Sequence, residues 1–92
     1  IMVDGSNNNV FENIQITKIG EEGIQFRKNS TNNIFQKSVI TNTGITEPRI
    51  GEGIYIGTAR VNTKNGVDRS NGNKILNNKI GPNVRAEGID IK

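Results

Sequence analysis

A short phrase returns three times in this chain: Glu22-Gly23-Ile24-Gln25-Phe26, Glu52-Gly53-Ile54-Tyr55-Ile56 and Glu87-Gly88-Ile89-Asp90-Ile91. Each copy reads acid, glycine, apolar, variable, apolar, and the copies start 30 and 35 residues apart. Apolar residues two apart mark a strand, because successive side chains point to opposite faces. A strand that recurs at long intervals with a glycine before it is a strand stacked on its own earlier copies. A second phrase alternates with the first: Asn9-Val10-Phe11-Glu12-Asn13-Ile14-Gln15-Ile16, then Asn33-Ile34-Phe35-Gln36-Lys37-Ser38-Val39-Ile40, with a looser copy over Asn73-Lys74-Ile75-Leu76-Asn77-Asn78-Lys79-Ile80.

The vocabulary suits stacked short strands. The 92 residues include 15 Ile, 15 Asn and 11 Gly. Ile is stiff at its first torsion and packs well in strands. Asn and Gly tolerate the left-handed backbone of tight turns. The sequence therefore predicts an all-β fold: a right-handed single-stranded parallel β-helix of about three to four coils. Its expected inward columns are Ile1, Ile24, Ile54, Ile89 and Val3, Phe26, Ile56, Ile91. A further column joins Ile14 or Ile16 to Val39 or Ile40 and to Ile80. Asn13, Asn42 and Asn78 are expected to form hydrogen-bonded ladders between coils. Residues 1–92 read as a single helix segment with loop inserts near 45–51 and 57–72. The pattern is already running at Ile1 and still running at Lys92, so the chain is expected to be a fragment of a longer helix, with ends suited to end-to-end self-association.

Composition narrows the chemistry. There is no Cys and no His, which removes disulfides, thiolate metal sites and the commonest general base. No stretch has the apolar length to cross a membrane. The net charge is +3. That suits an anionic polymer. Nucleic acid is not expected, since the basic residues are scattered and no nucleic-acid motif appears.

If Ile24 and Phe26 face inward, then Gln25 and Arg27 face outward, followed by Tyr55 and Gly57, then Asp90 and Lys92. Beside them runs the column Glu22, Glu52, Glu87. Two readings of that column stand: glutamates bonded to turn amides or lying in solvent, and a binding surface. Tyr55 is the single tyrosine. It is read either as a ring that stacks on a sugar or as ordinary outward sheet packing. The inserts carrying Arg49 and Arg60 enter before and after its strand. They are expected to wall a ligand groove across Tyr55.

The alternation of Asn-x-Ile-x-x-Asn-x-Ile with Gly-Ile-x-Ile resembles the parallel β-helix repeats of the pectate-lyase-like superfamily, over nearly the whole chain. Blocks such as Gly51-Glu52-Gly53-Ile54-Tyr55-Ile56-Gly57 are similar to secreted β-helix proteins of bacteria and fungi. The resemblance implies a secreted, extracellular location and an anionic, uronic-acid polysaccharide as partner. It implies a lyase first and a hydrolase second, with a non-catalytic binding, adhesin or structural β-helix as the alternative. For a lyase it implies Lys92 or Arg27 as the base, and Ca²⁺ held by Glu52, Glu87 and Asp90. Substrate contacts would fall to Tyr55, Glu52, Asp90, Arg49 and Arg60.

Overall fold

The structure, a computed structural model, describes residues 1–63 and 66–92. Lys64 and Asn65, within the second insert, lie outside the described residues.

Ten short strands form three parallel sheets. Strands β1 (Met2–Asp4), β4 (Ile24–Arg27), β7 (Ile54–Ile56) and β10 (Ile89–Ile91) pair in that order. Strands β2 (Val10–Glu12), β5 (Ile34–Gln36) and β8 (Lys74–Leu76) make the second sheet. Strands β3 (Gln15–Ile16), β6 (Val39–Ile40) and β9 (Lys79–Ile80) make the third. Every pairing joins a strand to its counterpart one repeat away. The chain is a parallel β-helix, and the recurring phrases are its strands.

The repeated phrase sets the register. Val3 pairs with Phe26, Phe26 with Ile56, and Ile56 with Ile91. Ile24, Ile54 and Ile89 align in the same way. In the third sheet Ile16, Ile40 and Ile80 stack, while Val39 pairs with Gln15 and Lys79. Ile24, Phe26, Phe35, Ile40 and Ile54 are fully buried. Phe11 meets Phe26 edge-on at 6.0 Å between ring centroids. Burying each such side chain stabilises by roughly 1.5–3 kcal/mol. The glycine before each strand lets coils approach: a Cβ on Gly23 would lie 2.6 Å from the Gly53 carbonyl oxygen.

Corners repeat as well. Asn13, Lys37 and Asn77 hold φ near +55, +51 and +55° at the same step between the second and third sheets. Asn serves these bends because its short side chain tolerates the left-handed region. Asn13 is thus a bend residue, and the buried ladder forms elsewhere. Asn33 Oδ1 accepts from the Asn9 amide at 2.9 Å, and Asn33 Nδ2 donates to Asn73 Oδ1 at 3.0 Å. At the neighbouring corner the Ile14 amide donates to Ser38 Oγ and the Ser38 amide to Asn78 Oδ1. Asn42 forms a ladder as expected, accepting from Asn83 Nδ2 on the next coil at 3.0 Å and donating to Thr17 Oγ1 on the previous one at 3.2 Å. These corner amides find side-chain acceptors one coil away, while others such as Asn13 and Lys37 donate to backbone carbonyls of the next coil.

The two excursions carry short 3₁₀ turns, Pro48–Ile50 and Arg60–Asn62. The first enters before β7 and the second leaves after it. Among the described residues no helix is long and apolar enough to cross a membrane.

Candidate functional site

The outward residues of the four-stranded sheet form two lines across the coils. Met2, Gln25, Tyr55 and Asp90 stand in register. In the neighbouring line Asp4 pairs with Arg27, and Lys92 lies alongside Gly57, where a Cβ would meet the Lys92 carbonyl oxygen at 2.8 Å. A cleft of about 670 Å³ opens on this face. Its floor is Gln25, Arg27 and Tyr55, and one wall is Thr58, Val67 and Asp68 from the second excursion. The turn Lys28-Asn29 borders it on the previous coil.

Gln25 is only 6% exposed although it points outward, because the excursion after β7 covers it and Gln25 Nε2 donates to the Gly57 carbonyl at 3.0 Å. Arg27 lies in the cleft with its guanidinium on Asp4, Nε to Oδ1 at 2.5 Å, and Lys28 Nζ reaches the same carboxylate at 3.2 Å. The Arg27 hydrogen bond is the main reason the Asp4 carboxyl is pulled down to about 2. The same contact raises the Arg27 pKa.

The structure brings Glu52, Glu87 and Asp90 together. One carboxylate oxygen from each lies within 4.8 Å of the others. Glu52 is 6% exposed, and its Oε2 is buried with no hydrogen-bond partner among the described residues. Burial first, then the charges of Glu22, Glu87 and Asp90, push the Glu52 pKa up. An orphaned carboxylate oxygen among two further carboxylates fits a hard cation such as Ca²⁺, which takes oxygen ligands. Asp90 is shared, for its Oδ2 is 2.9 Å from Lys92 Nζ. That hydrogen bond raises the Lys92 pKa. Burial raises the Tyr55 pKa, against the lowering influence of the nearby Lys92 charge.

Of the expected site residues the described lining of the cleft includes Tyr55 and Arg27, and it includes none of Arg49, Arg60, Glu52, Glu87, Asp90 and Lys92. Arg49 is exposed, pairs with Glu47 at 3.4 Å, and borders a separate depression of about 540 Å³ with Arg85 and Glu87. Arg60 is exposed in its 3₁₀ turn. The first excursion enters at the other end of β7, and its Thr46 lines a shallow hollow that shares Glu22 and Gln25 with the cleft. Sequence reasoning passed over Thr58 and Asp68. They belong to no repeat, so periodicity carries no signal for them.

The fold and site define a class: a parallel β-helix with a tyrosine-floored cleft on one sheet and a separate cluster of three carboxylates. No protein-family model matches the chain, and no curated protein matches it. A solved structure does: the crystal structure of an alginate lyase from Paenibacillus sp. str. FPU-7 is 42% identical with a TM-score of 0.89. The likeness covers 100% of this chain and 31% of the lyase, so the chain spans about a third of that protein's length.

Proposed function

We propose that this chain carries part of the substrate cleft of a polysaccharide lyase of the pectate-lyase-like type, secreted and acting on uronic-acid polymers, with alginate the first candidate. One observation carries the reading. Tyr55, Asp90 and Lys92 stand together on an outward sheet face, and Asp90 also joins Glu52 and Glu87 in a trio of carboxylates. The lyase likeness and the net charge of +3 support an anionic substrate.

In β-elimination a base removes the proton on the carbon beside the uronate carboxyl. That electron pair forms a carbon–carbon double bond, the neighbouring glycosidic C–O bond breaks, and the leaving oxygen takes a proton. Lys92 in its neutral form is the candidate base and the Tyr55 phenol the candidate acid, two groups close enough to perturb each other. Arg27 is the second candidate base, and its Nε and Nη2 already form a bidentate pair with Asp4. Glu52, Glu87 and Asp90 would hold Ca²⁺, which when bound supplies positive charge against the developing enolate. Asp90 must then release Lys92.

A non-catalytic polysaccharide-binding role is the second reading. It is favoured by the carboxylates that hold both Lys92 and Arg27 in their charged forms.

The deciding experiment incubates the intact protein with alginate and with polygalacturonate, with Ca²⁺ or with chelator, and follows the ultraviolet absorbance of unsaturated uronate ends. Growth on alginate that chelator suppresses is the expected result. Binding without absorbance growth selects the second reading, and neither binding nor turnover overturns both.

A further inference from the structure

The excursion after β7 is closed at its base. Thr58 Oγ1 donates to Asp68 Oδ2 at 2.5 Å, joining the outgoing and returning legs ten positions apart. The same carboxylate also reaches back to the previous coil. The Lys28 amide donates to Oδ2 at 2.8 Å and the Asn29 amide to Oδ1 at 2.9 Å. Ser70 Oγ donates to Oδ1 at 2.7 Å. One carboxylate therefore accepts four bonds from three places in the chain. The adjoining contacts run the same way: the Arg69 amide donates to Asn29 Oδ1 at 2.7 Å, and the Ser30 amide to Ser70 Oγ at 3.0 Å. Compact loops whose ends meet in this fashion behave as units.

This neck stands beside the cleft. Thr58, Val67 and Asp68 all line it, and Val67 is 73% exposed next to the Asp68 that anchors it. A branched apolar side chain left in water thus lines the same cleft as Tyr55 and Ala59. Pyranose rings present apolar C–H faces as well as hydroxyls, so such a lip suits a ring lying over the tyrosine.

We propose that Asp68 is a positioning residue. It pins the loop after β7 to the Lys28-Asn29 turn and so fixes Val67 as the wall against which a uronate polymer is held over Tyr55. This rests on the reading of the cleft as a polysaccharide site. Asp68 touches no reacting atom, and its effect is on polymer binding.

The test uses the intact protein and Asp68→Asn, which keeps the shape and removes the charge. Amide hydrogen exchange at Lys28 or Asn29, measured without substrate, should rise about tenfold, because the new amide nitrogen cannot accept and leaves one of the two backbone donors without its bond. KM for long alginate, or Kd where turnover is absent, should rise about tenfold, corresponding to one such lost interaction. Values of kcat should stay within about twofold, as expected when binding common to ground and transition states is removed. Thr58→Val opens the neck and leaves the backbone contacts, so it should shift both readouts the same way by less. It also preserves the test if Asp68→Asn folds poorly. Unchanged exchange overturns the clamp. Faster exchange with unchanged polymer affinity, or a fall confined to kcat, overturns the wall. If the wild-type protein binds no uronate polymer, the cleft reading and the wall's substrate role fall together, while exchange still decides the clamp.

Discussion

Tyr55 stands directly opposite Asp90 across the β7–β10 pair, and the Asp90 carboxylate is held 2.9 Å from Lys92, the residue just after β10. The phenol, the carboxylate and the ammonium are thus fixed by backbone register rather than by loop conformation. Tyr55→Phe keeps the ring and removes the hydroxyl. We expect kcat on alginate to fall about 10²–10⁴-fold, the range for a lost acid or base, with KM little changed. Tyr55→Ala should raise KM as well. Steady-state kinetics on the two variants check this, and wild-type turnover by Tyr55→Phe would exclude the acid role.

The orphaned Glu52 oxygen gives a stability signature. With its folded pKa above the ordinary 4.5, Glu52 favours the folded state most below the unfolded pKa, and that contribution is lost as pH rises through the folded value. At neutral pH without a cation, Glu52→Gln should therefore unfold no more readily than wild type. Saturating Ca²⁺ should raise the wild-type Tm, by the equivalent of about 2.7 kcal/mol at a hundredfold excess over Kd, and should leave Glu52→Gln unmoved. Calorimetry with Ca²⁺ and with chelator reads both effects.

Asp68 gives the opposite pH dependence. Burial alone would raise its pKa, but bonds from Thr58, Asn29, Ser70 and Lys28 bring it from 3.8 down to about 2. A depressed carboxylate contributes stability above the unfolded pKa and loses it as pH falls through the folded one. The loop after β7 should therefore loosen between about pH 4 and pH 2. Limited acid proteolysis at that loop should accelerate across this window in wild type and be fast throughout in Asp68→Asn.

Gly57 occupies φ +102°, and a Cβ there would lie 2.8 Å from the Lys92 carbonyl oxygen. Gly57→Ala should lower stability by more than about 1 kcal/mol, because strain at positive φ adds to the contact with backbone. It should also displace Lys92 and cut turnover. A denaturant titration alongside an alginate assay separates the two consequences.

The strand registers were legible in the sequence because apolar residues recur two apart in each copy, and Ile24, Ile54 and Ile89 align accordingly, although Ile89 and Ile91 on the last coil are exposed rather than inward and buried. The outward line Gln25, Tyr55, Asp90 followed from the same alternation. Its burial did not, since Gln25 is covered by an excursion that has no period. The choice of Asn33 over Asn13 for the buried ladder was hidden because both precede apolar strand residues, and backbone conformation does not separate them either, since Asn42 is left-handed like Asn13 yet bonds to both neighbouring coils. Asp68 was invisible for a related reason. Its partners are backbone amides 39 and 40 residues away, and any residue type can supply those.

Asn33 meets Asn9 after 24 residues and Asn73 after 40, with side-chain bonds of 3.0 Å to each. The coil contact is indifferent to how much chain runs between its rungs. An excursion can be lengthened, shortened or exchanged while the amides that meet at the corner stay where they are. The cleft wall can thereby vary in length while the corner bonds persist, provided that a returning leg still supplies what Asp68 and Ser70 give to the turn on the previous coil.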